Sequence, residues 1–156
     1  MFQVFMHYLC HFYVAVSTGD ATYLFLLYLR DRVRLAKGNI VSFRASQIAN
    51  VVANDYLHHS VNLRQLSKKI RELCELMCDL KLMFVLKRCA RGKVYAISRD
   101  SLLFKILQNC DDNTLMCIVE KFKELQYCPN KYENAEDFVK CLVSCCDMSE
   151  VWGKSL

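Results

Sequence analysis

Apolar residues recur at steps of three and four through most of this chain, which is the spacing of one buried face of an α-helix. The segment ATYLFLLYLRDRVRLAKGN, after Asp20, is predicted to be a helix that ends at Lys37 and Gly38. The run IVSF follows as a short strand. ASQIANVVANDYLHH then returns to helical spacing, with its N-terminal cap at Ser42 or Ser46. The pattern therefore predicts a helix, a strand and a second helix.

The segment from Val61 to Ile97 combines a regular helical pattern with two strand-like runs. Asn62, with Gln65 three residues later, forms a capping pair at its start. Six aliphatic positions then follow at steps of 3, 4, 3, 4 and 3, and they are Leu63, Leu66, Ile70, Leu73, Met77 and Leu80. LMFVLKR and KVYAIS predict two strands joined near Gly92, which can adopt the positive φ of a tight hairpin. A helix followed by a β-hairpin is expected.

The remaining C-terminal part predicts three further helices. SRDSLLFKILQN is the first, with Ser98 or Asp100 near its start. The next begins at one of the polar residues 111–113, YCPNKY interrupts it, and Asn134 with Asp137 begins the last. The last two are too short to hold a core of their own, so we expect them to pack on the preceding helices or on a second copy of the chain.

The first residues, MFQVFMHYLCHFYVAVST, contain no charged side chain and are apolar on every face of a helix. Such a helix must be covered on most sides, and in so small a protein the cover can come from a second copy. We therefore predict that residues 1–19 form a dimerisation helix. The stretch lacks the cationic start of a signal peptide and is shorter than the roughly 20 residues of a membrane helix, so neither is expected.

Charge is distributed unevenly along the chain, whose formal net charge is +5. Residues 20–109 hold 16 lysines and arginines against 7 acids, a net of +9, whereas residues 110–156 have a net of −4. A basic block of this size attracts a polyanion such as nucleic acid, although a solvated face that keeps the protein soluble is the alternative.

Two groups of cations stand out within the basic block. In the predicted helix after Asn62, bases occupy the first half and acids the second, opposite to the order that a helix dipole favours, which suggests an external anion. Lys87, Arg88, Arg91 and Lys93 surround the predicted hairpin tip. Their alternative role is to keep an exposed strand edge from aggregating.

The order helix, strand, helix, helix and hairpin, from about Asp20 to Ile97, resembles a winged helix-turn-helix domain. NLRQLSKKIRELCELMCDLKLMFVLKRCARGKVYAIS is similar to the recognition helix and wing of MarR- or ArsR-like regulators and of small archaeal and archaeal-viral winged-helix proteins. Lys81 departs from that pattern, which usually has glycine or asparagine there. The resemblance implies a mainly α fold with a small β-hairpin. A winged helix-turn-helix domain at 20–109 would lie between the helix 1–19 and an acidic helical extension at 110–156.

The resemblance also implies a function and a set of contacts. The expected function is a dimeric, cytoplasmic transcription regulator that binds double-stranded DNA, in a nucleoid or in a host cell. Its recognition helix would enter the major groove, and its wing would touch the backbone or the minor groove. The implied DNA-binding residues are Arg44, Ser46, Asn62, Arg64, Gln65, Lys68, Lys69, Arg88, Arg91 and Lys93. The alternative is a winged-helix module that contacts an acidic protein partner.

Other chemistry is scarce in the sequence. Ten cysteines are present without a Cys-x-x-Cys pair, so no zinc site is predicted, although disulfides or a redox or metal sensor remain weaker alternatives. Cys74, Cys78 and Cys117 fall in apolar helical patterns and are expected to act as small buried hydrophobes. His7 and His11 suit packing better than metal binding. No nucleophile motif or nucleotide-binding loop occurs, so we expect a non-enzyme without cofactor or small-molecule ligand.

Overall fold

The computed structural model describes residues 18–57 and 62–146. In this part of the chain the elements are α1 (Thr18–Leu35), β1 (Ile40–Phe43), α2 (Ala45–Val52), α3 (Leu63–Asp79), β2 (Phe84–Cys89), β3 (Gly92–Ser98), α4 (Leu102–Gln108), α5 (Asp112–Tyr127) and α6 (Ala135–Cys145), and a π-helical turn (Ala53–Leu57) extends α2. The fold is therefore mainly α with a small antiparallel sheet. The predicted N-terminal dimerisation helix lies outside the described residues, except for Thr18 and Gly19 at the start of α1.

The three strands form one antiparallel sheet in the order β1-β3-β2. β2 and β3 make the predicted hairpin, with Cys89 opposite Gly92, whose φ of +114° is one that glycine adopts without steric cost. The short run IVSF is confirmed as β1. It occupies the free edge of β3, and its alternate residues Val41 and Phe43 are buried. The sheet is thus a hairpin widened by one strand.

The core lies between α1, the sheet and the inner face of α3. Phe43 of β1 packs between Phe25 of α1 and Tyr95 of β3, with ring centroids 6.2 and 6.4 Å away. α3 contributes the buried side chains Leu66, Ile70, Leu73 and Met77 at the predicted spacing. The first and last positions of that pattern depart from the prediction, because Leu63 is exposed and Leu80 is half-buried. The inner face of α3 is committed to the core, and its opposite face remains available at the surface.

Three helices begin with a side-chain cap at a residue that the sequence predicts. The side chains of Asn62, Asp111 and Asn134 each accept a hydrogen bond from a backbone N–H three residues later. The predicted caps of α2 are wrong, because Ser42 pairs with β3, Ser46 lies inside the helix, and Arg44 holds the cap position without a side-chain bond. The predicted start of α4 and the predicted end of α1 each differ from the structure by a few residues. Ser101, rather than Ser98 or Asp100, caps α4, and α1 ends at Leu35.

The turn that ends α3 contains a residue whose backbone is in the left-handed conformation. Lys81 has a φ of 60°, the N–H of Leu82 donates to the carbonyl of Met77 at 2.9 Å, and the N–H of Lys81 donates to Cys78 at 3.0 Å. These two bonds form a Schellman motif, which usually has glycine at the left-handed position. Leu82 and Met83 are buried directly after it, so apolar burial offsets the backbone cost of the lysine.

The acidic extension packs back on α1. α5 lies along α1, and α6 packs on α5 through Phe122 and Phe138, whose ring centroids are 5.1 Å apart. Cys117 and Cys145 lie in disulfide contact, with their Cα atoms 5.9 Å apart. Cys117 is therefore a cross-link between α5 and α6, and not the simple buried hydrophobe that the sequence predicts. None of the helices within 18–57 and 62–146 is long and apolar enough to cross a membrane.

Candidate nucleic-acid interface

A groove of about 380 Å³ lies where α2, α3 and the hairpin meet, and we call it the basic groove. The start of α2 supplies one wall, α3 the second, and the end of the hairpin the third. Its lining residues are Arg44, Ala45, Ser46, Ser67, Arg71, Glu75, Arg91, Gly92, Lys93 and Tyr95. The lining therefore contains four cationic side chains and one acidic side chain. Such a concavity concentrates positive potential.

The outward face of α3 continues this positive surface. Arg64, Gln65 and Lys68 are all exposed. Arg71 follows Lys68 by three positions and Arg64 by seven, so the three cations share one side of the helix. Asn62 is also exposed, but its side-chain oxygen is engaged by the N–H of Gln65 as the helix cap. The helix thus presents three cations and one amide to solvent beside the basic groove.

Lys69 lies on a different side of α3 from the other predicted contacts. It is half-buried and lines a second groove, between α3 and the end of α5, together with residues such as Leu76 and Leu125. Consecutive residues of an α-helix are about 100° apart, which accounts for its separation from Lys68. The structure therefore does not bring Lys69 to the basic groove.

Glu75 ties the hairpin to α3. Its Oε1 accepts hydrogen bonds from Lys93 Nζ at 2.6 Å and from Tyr95 Oη at 2.7 Å. The bond from Lys93, then that from Tyr95, lowers the pKa of Glu75, whereas burial and the bond to Glu75 raise the pKa of Tyr95. Lys93 is therefore already paired in the folded chain, and it contributes less to an external anion than its charge suggests.

Replacing Glu75 with glutamine is expected to remove an acid-sensitive contribution to stability. Because the pKa of Glu75 is lowered on folding, the ionised carboxylate stabilises the fold above its ordinary pKa of 4.5, and this stabilisation is lost as the pH falls through the lowered value. Urea denaturation should show a larger difference in unfolding free energy between the native chain and Glu75→Gln at pH 6 than at pH 3. Asp79→Asn, exposed on the same helix, is the matched control. A difference that does not change with pH would contradict this role.

The remaining predicted residues surround the basic groove at the start of α2 and on the hairpin. Arg44 is half-buried, with its guanidinium 3.8 Å from Cys89 Sγ, and Ser46 is exposed in the first turn of α2. Arg88 and Arg91 are exposed, and Arg88 lies opposite Lys93 in the β-ladder. Cations around a helix N-terminus that has no acidic residue in its first turn favour the approach of an anion.

Six of the ten lining residues of the basic groove are absent from the contacts that the sequence predicts, and two of these, Ser67 and Arg71, are residues of α3 with hydrogen-bond donors in their side chains. Helical spacing contains a signal for Arg71, because it falls on the same side as Arg64 and Lys68. Ser67 has no comparable signal, because only the packing of α3 against α2 and the hairpin shows which side of the helix lines the groove.

The described free cysteines include four whose thiols are partly or fully shielded from solvent, namely Cys74, Cys78, Cys110 and Cys146. Within residues 18–57 and 62–146, no three side chains of His, Cys, Asp or Glu are grouped as metal ligands. Burial raises the pKa of Cys74, of Cys146 and, to about 11, of Cys78 and Cys110. A raised pKa disfavours the thiolate that reacts or binds a metal. These four thiols therefore give no support to a sensor.

No family model matches this chain, and the comparisons with curated proteins and with solved structures found no match either.

Proposed function

We propose that the chain is a winged-helix protein that binds double-stranded DNA, with α3 as its recognition helix and the β2–β3 hairpin as its wing. The order of elements supports the fold, because helix, strand, helix, helix and hairpin follow one another from Thr18 to Ser98. The sheet order β1-β3-β2 also supports it, since the first strand pairs with the second strand of the hairpin. Regulation of transcription is the role that this fold suggests.

The observation that carries the proposal is the exposed cationic face of α3 beside the basic groove. An α-helix with its side chains is about 10–12 Å wide, which fits a major groove about 12 Å wide. In that position Arg64 and Lys68 can donate to O6 and N7 of guanine, and Gln65 can pair with N6 and N7 of adenine. These three side chains are exposed in the first half of α3, the part of a recognition helix that reaches base edges.

The basic groove would bind the DNA backbone. Arg44, Arg71 and Arg91 can each contact a phosphate, and the hydroxyl of Ser46 can donate to one. Phosphate contacts orient a protein on the duplex but carry no sequence information. For a homodimer, we expect two half-sites about 34 Å apart along the duplex.

Salt dependence of duplex binding tests this function. Four to six phosphate contacts should give a slope of log K against log [salt] of roughly −3.6 to −5.4, so affinity should fall by about 150- to 1800-fold between 50 and 200 mM salt. Fluorescence anisotropy with a labelled 30-base-pair duplex measures the slope. Polyglutamate of matched charge is the control for the alternative, an acidic protein partner. Binding of polyglutamate as tight as that of the duplex would contradict a DNA-binding function.

A further inference from the structure

Glu75 is the one acid among the described residues that line the basic groove. Its side chain is 41% exposed and that of Lys93 is 30% exposed, so both lie at the wall of the groove within reach of solvent. Arg71, which also lines the groove, precedes Glu75 by about one turn of α3. A carboxylate at this position opposes the attraction that the neighbouring cations exert on a phosphate.

The contacts of Glu75 are those that a phosphate oxygen would make. Its Oε1 accepts hydrogen bonds from Lys93 Nζ at 2.6 Å and from Tyr95 Oη at 2.7 Å. The two donors are alternate residues of β3, so they project from the same face of the sheet. Lysine ammonium groups and tyrosine hydroxyl groups are common donors to DNA phosphates. The carboxylate therefore fills a site whose donors suit an anionic oxygen.

The Glu75 carboxylate is charged at neutral pH. The bond from Lys93, then the bond from Tyr95, lowers its pKa, and the charge of Arg88 acts in the same direction. An ammonium and a carboxylate in direct contact carry no net charge together, so Lys93 adds little to the positive potential of the basic groove. The cations that the lining then offers to a duplex are Arg44, Arg71 and Arg91.

We propose that Glu75 occupies the place of a DNA phosphate at Lys93 and Tyr95, and that it thereby withholds one cation of the hairpin from the DNA backbone. This inference rests on the DNA-binding function proposed for the chain. Backbone contacts bind every sequence, whereas the contacts of α3 with base edges distinguish one sequence from another. Glu75 therefore limits sequence-independent binding and increases the share of the affinity that depends on sequence.

Glu75→Gln tests this role, because glutamine keeps an oxygen that can accept from Tyr95 and removes the charge that holds Lys93. Lys93 should then contact a phosphate. One added contact makes the slope of log K against log [salt] steeper by about 0.9, equivalent to an affinity about 5- to 10-fold higher at about 100 mM salt. Anisotropy titrations with a labelled 30-base-pair duplex of mixed sequence measure both quantities.

Glu72→Gln is the matched control for this variant. Glu72 carries the same charge and is exposed on the same helix, but it lines the second groove, between α3 and the end of α5. Its replacement should change duplex affinity by less than about threefold, because a more distant charge is screened by salt. An equal gain from both variants would overturn the inference, since overall charge would then account for the effect.

A purely structural role for Glu75 predicts a change of the opposite sign. If Glu75 only held the hairpin against α3, glutamine would loosen the hairpin and weaken binding or leave it unchanged. Either result from a Glu75→Gln chain that is folded by circular dichroism would overturn the inference. Failure of the native chain to bind the duplex would instead remove the proposed function, and this inference with it.

Replacing Lys93 gives a second measurement that does not require Glu75→Gln to fold. Lys93→Met should weaken binding, because the carboxylate of Glu75 is left without its partner, but it should not make the salt slope shallower. A slope shallower by about 0.9 would show that Lys93 already binds a phosphate, and would overturn the inference. In a chain that carries both substitutions, the gain produced by Glu75→Gln should disappear.

Discussion

Replacing Lys68 and Arg71 together with alanine is expected to weaken duplex binding by about 30- to 1000-fold, equivalent to roughly 2–4 kcal/mol. Both side chains project from α3 on the side of the basic groove, and neither contributes to the core. Removal of Arg71, which the proposal assigns to a phosphate, should also make the slope of log K against log [salt] shallower by about 0.9. Anisotropy titrations of one duplex at several salt concentrations measure both quantities.

Lys69→Ala is the matched control for this double variant. Lys69 carries the same charge and adjoins Lys68 in the sequence, but it lines the second groove, between α3 and the end of α5. Its replacement should change duplex affinity by less than threefold, as expected of a distant charge screened by salt. If Lys69→Ala weakened binding as much as the double variant, overall charge rather than the basic groove would account for the attraction.

Replacing Phe138 with alanine is expected to lower the free energy of unfolding by about 3–5 kcal/mol, the usual effect of truncating a buried aromatic side chain. Phe138 is fully buried, and its ring packs edge-on against Phe122 at 5.1 Å and against Tyr132 at 5.2 Å. The fully buried residues of α6 are Phe138 and Leu142, so apart from the Cys117–Cys145 disulfide contact α6 has few other interactions that hold it on α5. Urea denaturation followed by circular dichroism measures the loss.

Two comparisons distinguish the loss of α6 packing from a general loss of folded structure. Met116→Ala, at an exposed position of α5, should change the unfolding free energy by no more than about 0.5 kcal/mol. Phe138→Ala should still bind the duplex at 10 °C, because α6 packs on α5 and takes no part in lining the basic groove. Loss of binding in a variant that remains folded would show that the acidic extension supports the DNA-binding surface.

Helical periodicity was a reliable guide to the buried face of α3 because that face packs on a single core. Four of its six predicted positions are buried, and the two exceptions are the terminal residues Leu63 and Leu80. A helix that extends past its partners exposes its ends, and the spacing of residues within the helix contains no information about where those partners stop.

Helix-capping hydrogen bonds were predictable where one side chain accepts a bond from a nearby backbone N–H. Asn62 follows that rule, whereas Arg44 at the start of α2 does not, because the adjacent strand pairing determines where the helix begins. The contact of Glu75 with Lys93 and Tyr95 joins residues 18 and 20 positions apart on different elements. No periodicity connects such positions, so the pairing of Lys93 becomes visible only in the fold.

The closed turn at Lys81 determines how α3 and the hairpin can respond to a ligand. Two backbone hydrogen bonds close this turn, and the side chains of Leu82 and Met83 are buried directly after it. The last turn of α3 is therefore joined to the first residue of β2 by a short, packed connection. A rotation of α3 on a bound surface must therefore carry the hairpin with it. For the proposed binding of DNA, this connection means that α3 and the hairpin would move onto the duplex together.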